Sequence, residues 1–217
     1  MKIEKILSCV DHTLLKPTAD WTAIEKLCQE AISYKTASVC IPPCYIERVK
    51  KRFDNQVNIC TVIGFPLGYS TKETKVFEAQ DAIDKGALEV DMVINMTDVK
   101  NGDFEKILDE IRSVKNVVGE KILKVIIETC YLTEEEKIHL SQIVTESGAD
   151  YIKTSTGFGT GGATLEDVKL LKTHIGTHVK VKASGGIRTK KDMEKYLEEG
   201  CSRLGTSSAV ELLKKQG

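Results

Sequence analysis

No stretch of the 217-residue sequence is apolar for the ~20 residues that a membrane-spanning helix needs. An excess of charge of either sign is missing too. Lysine and arginine number 31 against 32 acids, a formal net charge of −1, so the overall balance draws the chain to neither nucleic acid nor an anionic membrane. A bound phosphate would need a local site. The opening MKIEKILSCVDH carries an acid among its lysines and no small-residue cleavage site, so no signal peptide is expected. Cysteine occurs without the pairing of a disulfide framework. Cys9, Cys28, Cys40, Cys44, Cys60, Cys130 and Cys201 are scattered and odd in number, with no CxxC, and a chain able to build its own core does not need staples. The expectation is a cytoplasmic protein whose thiols are mostly small buried hydrophobes. Absent as well is a GxGxxG turn after the first apolar run, which an open dinucleotide-binding sheet would carry.

What the chain does have is a repeat of short β-branched runs separated by amphipathic or alanine-rich stretches. The runs are SCVDHT, ASVCI, VNICTVIGF, LEVDMVIN, ILKVIIET, DYIKT, HVKVKAS and CSRLGTSS. Those like VIIET read as parallel strands covered on both faces. Between the runs, Ser70 to Glu73, Thr133 to Glu136 and Thr164 to Asp167 place a hydroxyl three residues before an acid, the sign of a helix start. Trp21 to Tyr34 puts Ile24, Leu27, Cys28 and Ala31 on one helical face; Ile107, Leu108, Ile111 and Val114 do the same after Asp103. Gly86, Gly119, Gly148, Gly176 and Gly200 end helices. About eight such units predict a single-domain (β/α)8 TIM barrel over residues 1–217, shorter than the usual ~250 residues but within the fold's range.

Ligands of such barrels sit at the C-terminal ends of the strands. The expected ends carry Asp11 and Thr13, Cys40, Gly64, Asp91 and Asn95, Glu128, Lys153 and Ser155, Lys182 and Ser184, and Gly205 and Thr206. Charge is costly there unless it is paired or used. Tyr151, Lys153 and Ser155 share a face by alternation, and Lys180, Lys182 and Ser184 repeat the arrangement one unit later. A lone strand-end lysine could be a solvated charge. Two on neighbouring strands make a chemical case, because burial and a second cation both disfavour the ammonium form. Bringing an amine from ~10.4 to ~7–8, where it serves as nucleophile or base, takes about 3–4 kcal/mol of differential interaction. Asp91 reads either as a salt-bridge partner for a lysine or as a proton shuttle in carbonyl chemistry, and the two roles are compatible.

The turns TGFGTGG, ASGG and LGTSS each follow a strand and precede a helix, where backbone N–H groups can approach an anion. Gly185, Gly186, Ser207 and Ser208 are the expected phosphate holders, with Thr156, Gly157 and Gly205 beside them and Cys40 on the pocket wall. No metal or cofactor is expected: His174 and His178 straddle Gly176, and Cys40 and Cys44 match no usual zinc spacing. Glu134 to Glu136 suit a helix's first turn. ERVKKRF lacks interleaved aromatics and reads as a solvated helix face.

Eight segments in order, DHTLLKP, SVCIPP, VIGFPLG, EVDMVIN, KVIIET, YIKTSTGF, VKASGGIRT and RLGTSS, resemble the class I deoxyribose-phosphate aldolases along essentially the whole chain. That resemblance implies a (β/α)8 barrel that reversibly cleaves 2-deoxy-D-ribose 5-phosphate to acetaldehyde and D-glyceraldehyde 3-phosphate. It places the family's Schiff-base lysine on Lys153, its second active-site lysine on Lys182 and its acid/base aspartate on Asp91. Asp11 and Thr13 fall on the segment that places sugar hydroxyls. Some members carry a helpful tyrosine in a C-terminal tail, whereas this sequence reads ELLKKQG there. The resemblance also implies a possible homodimer. Two alternatives stay open: a Schiff-base aldolase or transaldolase acting on a longer sugar phosphate, and a non-catalytic sugar-phosphate-binding barrel.

Overall fold

The computed structural model describes residues 1–214. Eight parallel strands close into a barrel in sequence order: β1 (Val10–Thr13), β2 (Ser38–Ile41), β3 (Ile59–Ile63), β4 (Glu89–Val93), β5 (Ile122–Ile126), β6 (Tyr151–Lys153), β7 (Lys180–Ser184) and β8 (Arg203–Thr206). β8 returns to pair with β1, Asp11 opposite Gly205. The outer layer is α1 (Ile3–Leu7), α2 (Trp21–Tyr34), α3 (Ile46–Phe53), α4 (Lys72–Asp84), α5 (Met96–Asn101), α6 (Phe104–Val118), α7 (Glu134–Glu146), α8 (Leu165–His174), α9 (Lys190–Glu198) and α10 (Ala209–Lys214). The tail segment ELLKKQG runs into residues 215–217, which lie outside the described residues. No helix among the described residues is long and apolar enough to cross a membrane.

Helix α2 starts at the side-chain cap of Asp20 and buries Ile24, Leu27, Cys28 and Ala31, the face its spacing predicts. Thr133 and Glu136 form a reciprocal capping box on α7, and Thr164 caps α8. The expected start at Ser70 is displaced by one residue: Thr71 accepts from Thr74 N–H and begins α4. Thr71 supplies the capping hydroxyl although the residue three further on is Thr74 rather than an acid, so no reciprocal box forms.

The strands alternate with period two. Val90 and Met92 of β4, Leu123 and Val125 of β5, Ile152 of β6 and Val181 and Ala183 of β7 turn outward into the core shared with the helices. Their alternates turn into the barrel. Such interiors are dominated by branched aliphatic side chains; this one instead holds Asp11, Glu89, Asp91, Lys124, Lys153, Lys182 and Arg203, all buried. Its small apolar patch is Cys40, Cys60 and Val62, packed with Leu15 and Phe65.

Candidate active site

Register brings the interior charges together. Lys153 and Lys182 are direct partners across β6 and β7, Asp91 faces Lys124 across β4 and β5, and Lys182 faces Arg203 across β7 and β8. Asp91 is the hub. Its Oδ2 accepts from Lys153 Nζ and from Lys182 Nζ, each at 2.7 Å. Its Oδ1 accepts from Lys124 Nζ at 2.8 Å and from the Cys60 thiol at 3.1 Å. Lys182 also donates to Asp11, which is held in turn by Arg203 and by Ser38 Oγ at 2.7 Å. Glu89 completes the set, 2.5 Å from Lys124 and 3.0 Å from Arg203. Four cationic side chains thus surround three carboxylates.

Burial alone would push these groups toward their neutral forms, and here the partners outweigh it. Burial opposes the charge on Asp91, yet Lys124, Lys153 and Lys182 hold its carboxyl well below the usual range. Asp11 is lowered in the same way by Lys182, Lys124 and Arg203. Lys182, despite full burial, is raised above an ordinary lysine by Asp11 and Asp91. The sequence suggested that the charge of Lys182 bears directly on Lys153. The structure puts an Asp91 oxygen between them, so Asp11 and Asp91 favour the ammonium form of Lys182 and the carboxylate mediates what passes between the amines.

Above this cluster opens a cavity of about 300 Å³. Of the three interior lysines, only Lys153, 3% exposed, lines it; Lys124 and Lys182 are fully buried below. Asp11, Asp91 and Lys182 therefore lie in mid-strand, a layer beneath the mouth, rather than at the strand ends expected from sequence. Thr13 lines the cavity and donates to the Asp11 carbonyl at 2.8 Å, leaving oxygen lone pairs free. Gly157, Gly185, Gly186, Gly205, Ser207 and Ser208 line it too. Gly185 and Gly186 have φ of +81° and +75°, a backbone that suits glycine.

Several expected residues take other positions. Cys40 is fully buried and absent from the cavity wall, and the neighbouring Cys60 thiol holds its pKa below that of an ordinary cysteine. Thr156 lines the cavity, but its hydroxyl donates to Glu128 and accepts from Phe158 N–H at 3.0 Å, so it is already committed. Asn95 caps α5, Gly64 N–H donates to Glu78 at 2.8 Å, and Lys180 is exposed at the start of β7.

Cys40, Cys60 and Asp91, and likewise Asp11, Cys60 and Glu89, gather metal-type donors within 4.8 Å of one another. The Lys124 ammonium sits among them, 3.2 Å from Cys60 Sγ as well as against Asp91 and Glu89.

A family model described as DeoC/LacD family aldolase matches residues 5–214. The chain belongs to this aldolase family. It is 62% identical over 214 residues to the deoxyribose-phosphate aldolase of Clostridium botulinum (strain Alaska E43 / Type E3), covering 99% of this chain and 97% of that one. It is 57% identical over 214 residues to the deoxyribose-phosphate aldolase of Clostridioides difficile (strain 630), covering 99% and 98%. The fold superimposes on the deoxyribose phosphate aldolase of Aeropyrum pernix, described as a unique tetrameric structure, with a TM-score of 0.92 and 32% identity over 99% of this chain and 92% of that chain.

Within the aldolase barrel, sequence reasoning missed the lower charge layer and two cations at the rim. Lys124 stood in ILKVIIET at the alternation phase that points inward, and Glu89 lies two residues before Asp91 on the same face; those were the available signals. Lys16 and Arg188 line the exposed part of the cavity, and neither has a carboxylate partner among the described residues. Phe158, 52% exposed, forms another part of the wall and meets Phe65 edge-on at 5.4 Å.

Proposed function

We propose that the chain is a class I aldolase that reversibly cleaves 2-deoxy-D-ribose 5-phosphate to acetaldehyde and D-glyceraldehyde 3-phosphate, with Lys153 as the Schiff-base residue. The observation that carries this is selective exposure: of the three lysines inside the barrel, one reaches a cavity that is also lined by glycine and serine turns. Full-length similarity to named deoxyribose-phosphate aldolases supports the substrate.

Lys153, as the free amine, attacks C1 of the open-chain sugar; loss of water from the carbinolamine leaves an iminium. Acetaldehyde has two carbons, so the bond that breaks is C2–C3. The C3 hydroxyl gives up its proton, its oxygen becomes the carbonyl of glyceraldehyde 3-phosphate, and the bond's electron pair passes into the iminium to form an enamine. Protonation at C2 and hydrolysis release acetaldehyde and restore Lys153. Asp91 and Lys182 form the proton relay next to the amine, because one Asp91 oxygen bonds both lysines. Asp11 anchors Lys182, and Thr13 offers its oxygen to a sugar hydroxyl. Gly185, Gly186, Ser207 and Ser208, with Gly157 and Gly205 nearby, receive the phosphate. Lys16 and Arg188 supply the positive charge that a phosphate dianion draws on.

We place this chemistry in the cytoplasm, needing no metal or cofactor, and take a homodimer as the assembly. Sedimentation velocity reads the assembly directly. Cleavage of 2-deoxyribose 5-phosphate in the presence of a chelator tests reaction class, substrate and metal independence together. Both products should form at an undiminished rate, and loss of activity in chelator contradicts the mechanism.

A further inference from the structure

One hydroxyl between the amine layer and the phosphate-side turns has nothing to bind. Ser184 ends β7, two residues after Lys182 and directly before Gly185 and Gly186. Its backbone is held on both sides: its N–H donates to Thr154 Oγ1 at 3.1 Å, and its carbonyl accepts from Ala163 N–H at 3.0 Å. The side chain is 4% exposed and the residue lines the cavity, yet Ser184 Oγ has no hydrogen-bond partner. Ser155 Oγ, two residues after Lys153 on the adjoining strand, is a second buried hydroxyl without one. Buried polar groups find partners in the great majority of cases, and an unsatisfied one is destabilising. A rigid hydroxyl kept free at a cavity wall is what a polar ligand atom requires.

Gly205 keeps the space around it open. Ser184 and Gly205 are direct partners across β7 and β8, and a Cβ on Gly205 would stand 2.4 Å from Ser184 Oγ. The φ of Gly205 lies outside the left-handed region, so glycine is needed here for room rather than for backbone conformation.

The position selects which substrate oxygen would meet the Ser184 hydroxyl. With C1 held by Lys153 and the C5 phosphate held by the turns after β7 and β8, the carbons between them pass along β7. A strand rises ~3.3 Å per residue, so Ser184 stands roughly two such steps beyond the Lys182 layer and next to the phosphate turn. The C3 oxygen belongs beside the proton relay, where it becomes a carbonyl. The C4 oxygen lies nearer the phosphate.

We propose that Ser184 hydrogen-bonds the C4 hydroxyl of the sugar phosphate and so selects acceptor aldehydes that carry a hydroxyl next to the carbonyl. This rests on the aldolase assignment above. The test compares aldol synthesis from acetaldehyde with two acceptors, D-glyceraldehyde 3-phosphate and 3-hydroxypropanal phosphate, which lacks only that hydroxyl. The parent should favour the hydroxylated acceptor in kcat/KM. Ser184→Ala should lose about 10-fold or more on glyceraldehyde 3-phosphate, in the range that one hydroxyl contact provides, and less than about 2-fold on the deoxy acceptor. Its thermal midpoint should stay level or rise, because an unsatisfied hydroxyl has been removed. Equal losses on both acceptors, no loss on either, or a parent with no preference between them would overturn the assignment of Ser184. Failure of the aldolase assignment itself has a different signature: a parent that makes no product and forms no borohydride-reducible adduct with acetaldehyde.

Discussion

At the residue scale, the site turns on how three buried amines differ. Lys124 contacts Asp91, Glu89 and Cys60, and Lys182 contacts Asp11 and Asp91, whereas Lys153 has Asp91 alone and borders the cavity. Partner number and access, rather than lysine chemistry as such, divide the amine that meets substrate from the two held beneath it. Replacing one member of a buried charge cluster leaves its partners uncompensated. Lys182→Leu should therefore lower kcat by about 100-fold or more, as loss of a positioned acid or base does, and destabilise the fold by about 3–5 kcal/mol, as breaking a buried pair does. Steady-state kinetics and urea unfolding check the two parts. A variant that retains the parent's rate would show that Lys182 takes no part in proton movement.

At the scale of elements, the turns after β6 and β7 are built against each other. Ala163 N–H donates to the carbonyls of Ser184 and Gly185, and a Cβ on Gly162 would lie 2.4 Å from the Gly185 carbonyl oxygen. That neighbour is backbone and cannot swing aside. Gly162→Ala should displace the Gly185–Gly186 turn and raise KM for the phosphorylated substrate about 10-fold, with a smaller effect on kcat, since the amine layer is untouched. Matched loss with phosphorylated and unphosphorylated substrates would contradict this. Most of the elements were legible in the sequence because their signals are local. The burial face of α2 follows from the spacing of Ile24, Leu27, Cys28 and Ala31, and the start of α7 follows from Thr133 and Glu136. The cap at Thr71 instead of Ser70 shows the limit, since adjacent hydroxyls compete and here the one without an acid three residues on forms the cap. Lys124 was not legible for a different reason. Its meaning depends on facing Asp91 across 33 residues of chain, and one strand's alternation cannot reveal what the next strand places opposite.

For the molecule as a whole, the barrel interior is an ion cluster walled by an apolar shell, and its stability depends on pH accordingly. Asp11 and Asp91 are held below the ordinary carboxylate value, so the unfolded chain binds their protons first, near ~3.9. Their contribution to stability is complete above that value and is lost as pH falls below it toward the depressed folded values. Lys124 and Lys182 are raised, so their contribution is complete below ~10.4 and is lost only as pH rises beyond it. The urea midpoint should stay nearly level from about pH 5 to 9 and fall steeply below about pH 4. A midpoint that rises on acidification would contradict the charged cluster.

The central claim is that Lys153 is the amine that forms the iminium, and reductive trapping tests it most directly. Incubation with acetaldehyde and sodium borohydride, followed by peptide mass mapping, should find one ethyl group on Lys153 and parallel loss of activity. An adduct on Lys182 or Lys124 in its place, or active enzyme that yields no adduct, would contradict the assignment.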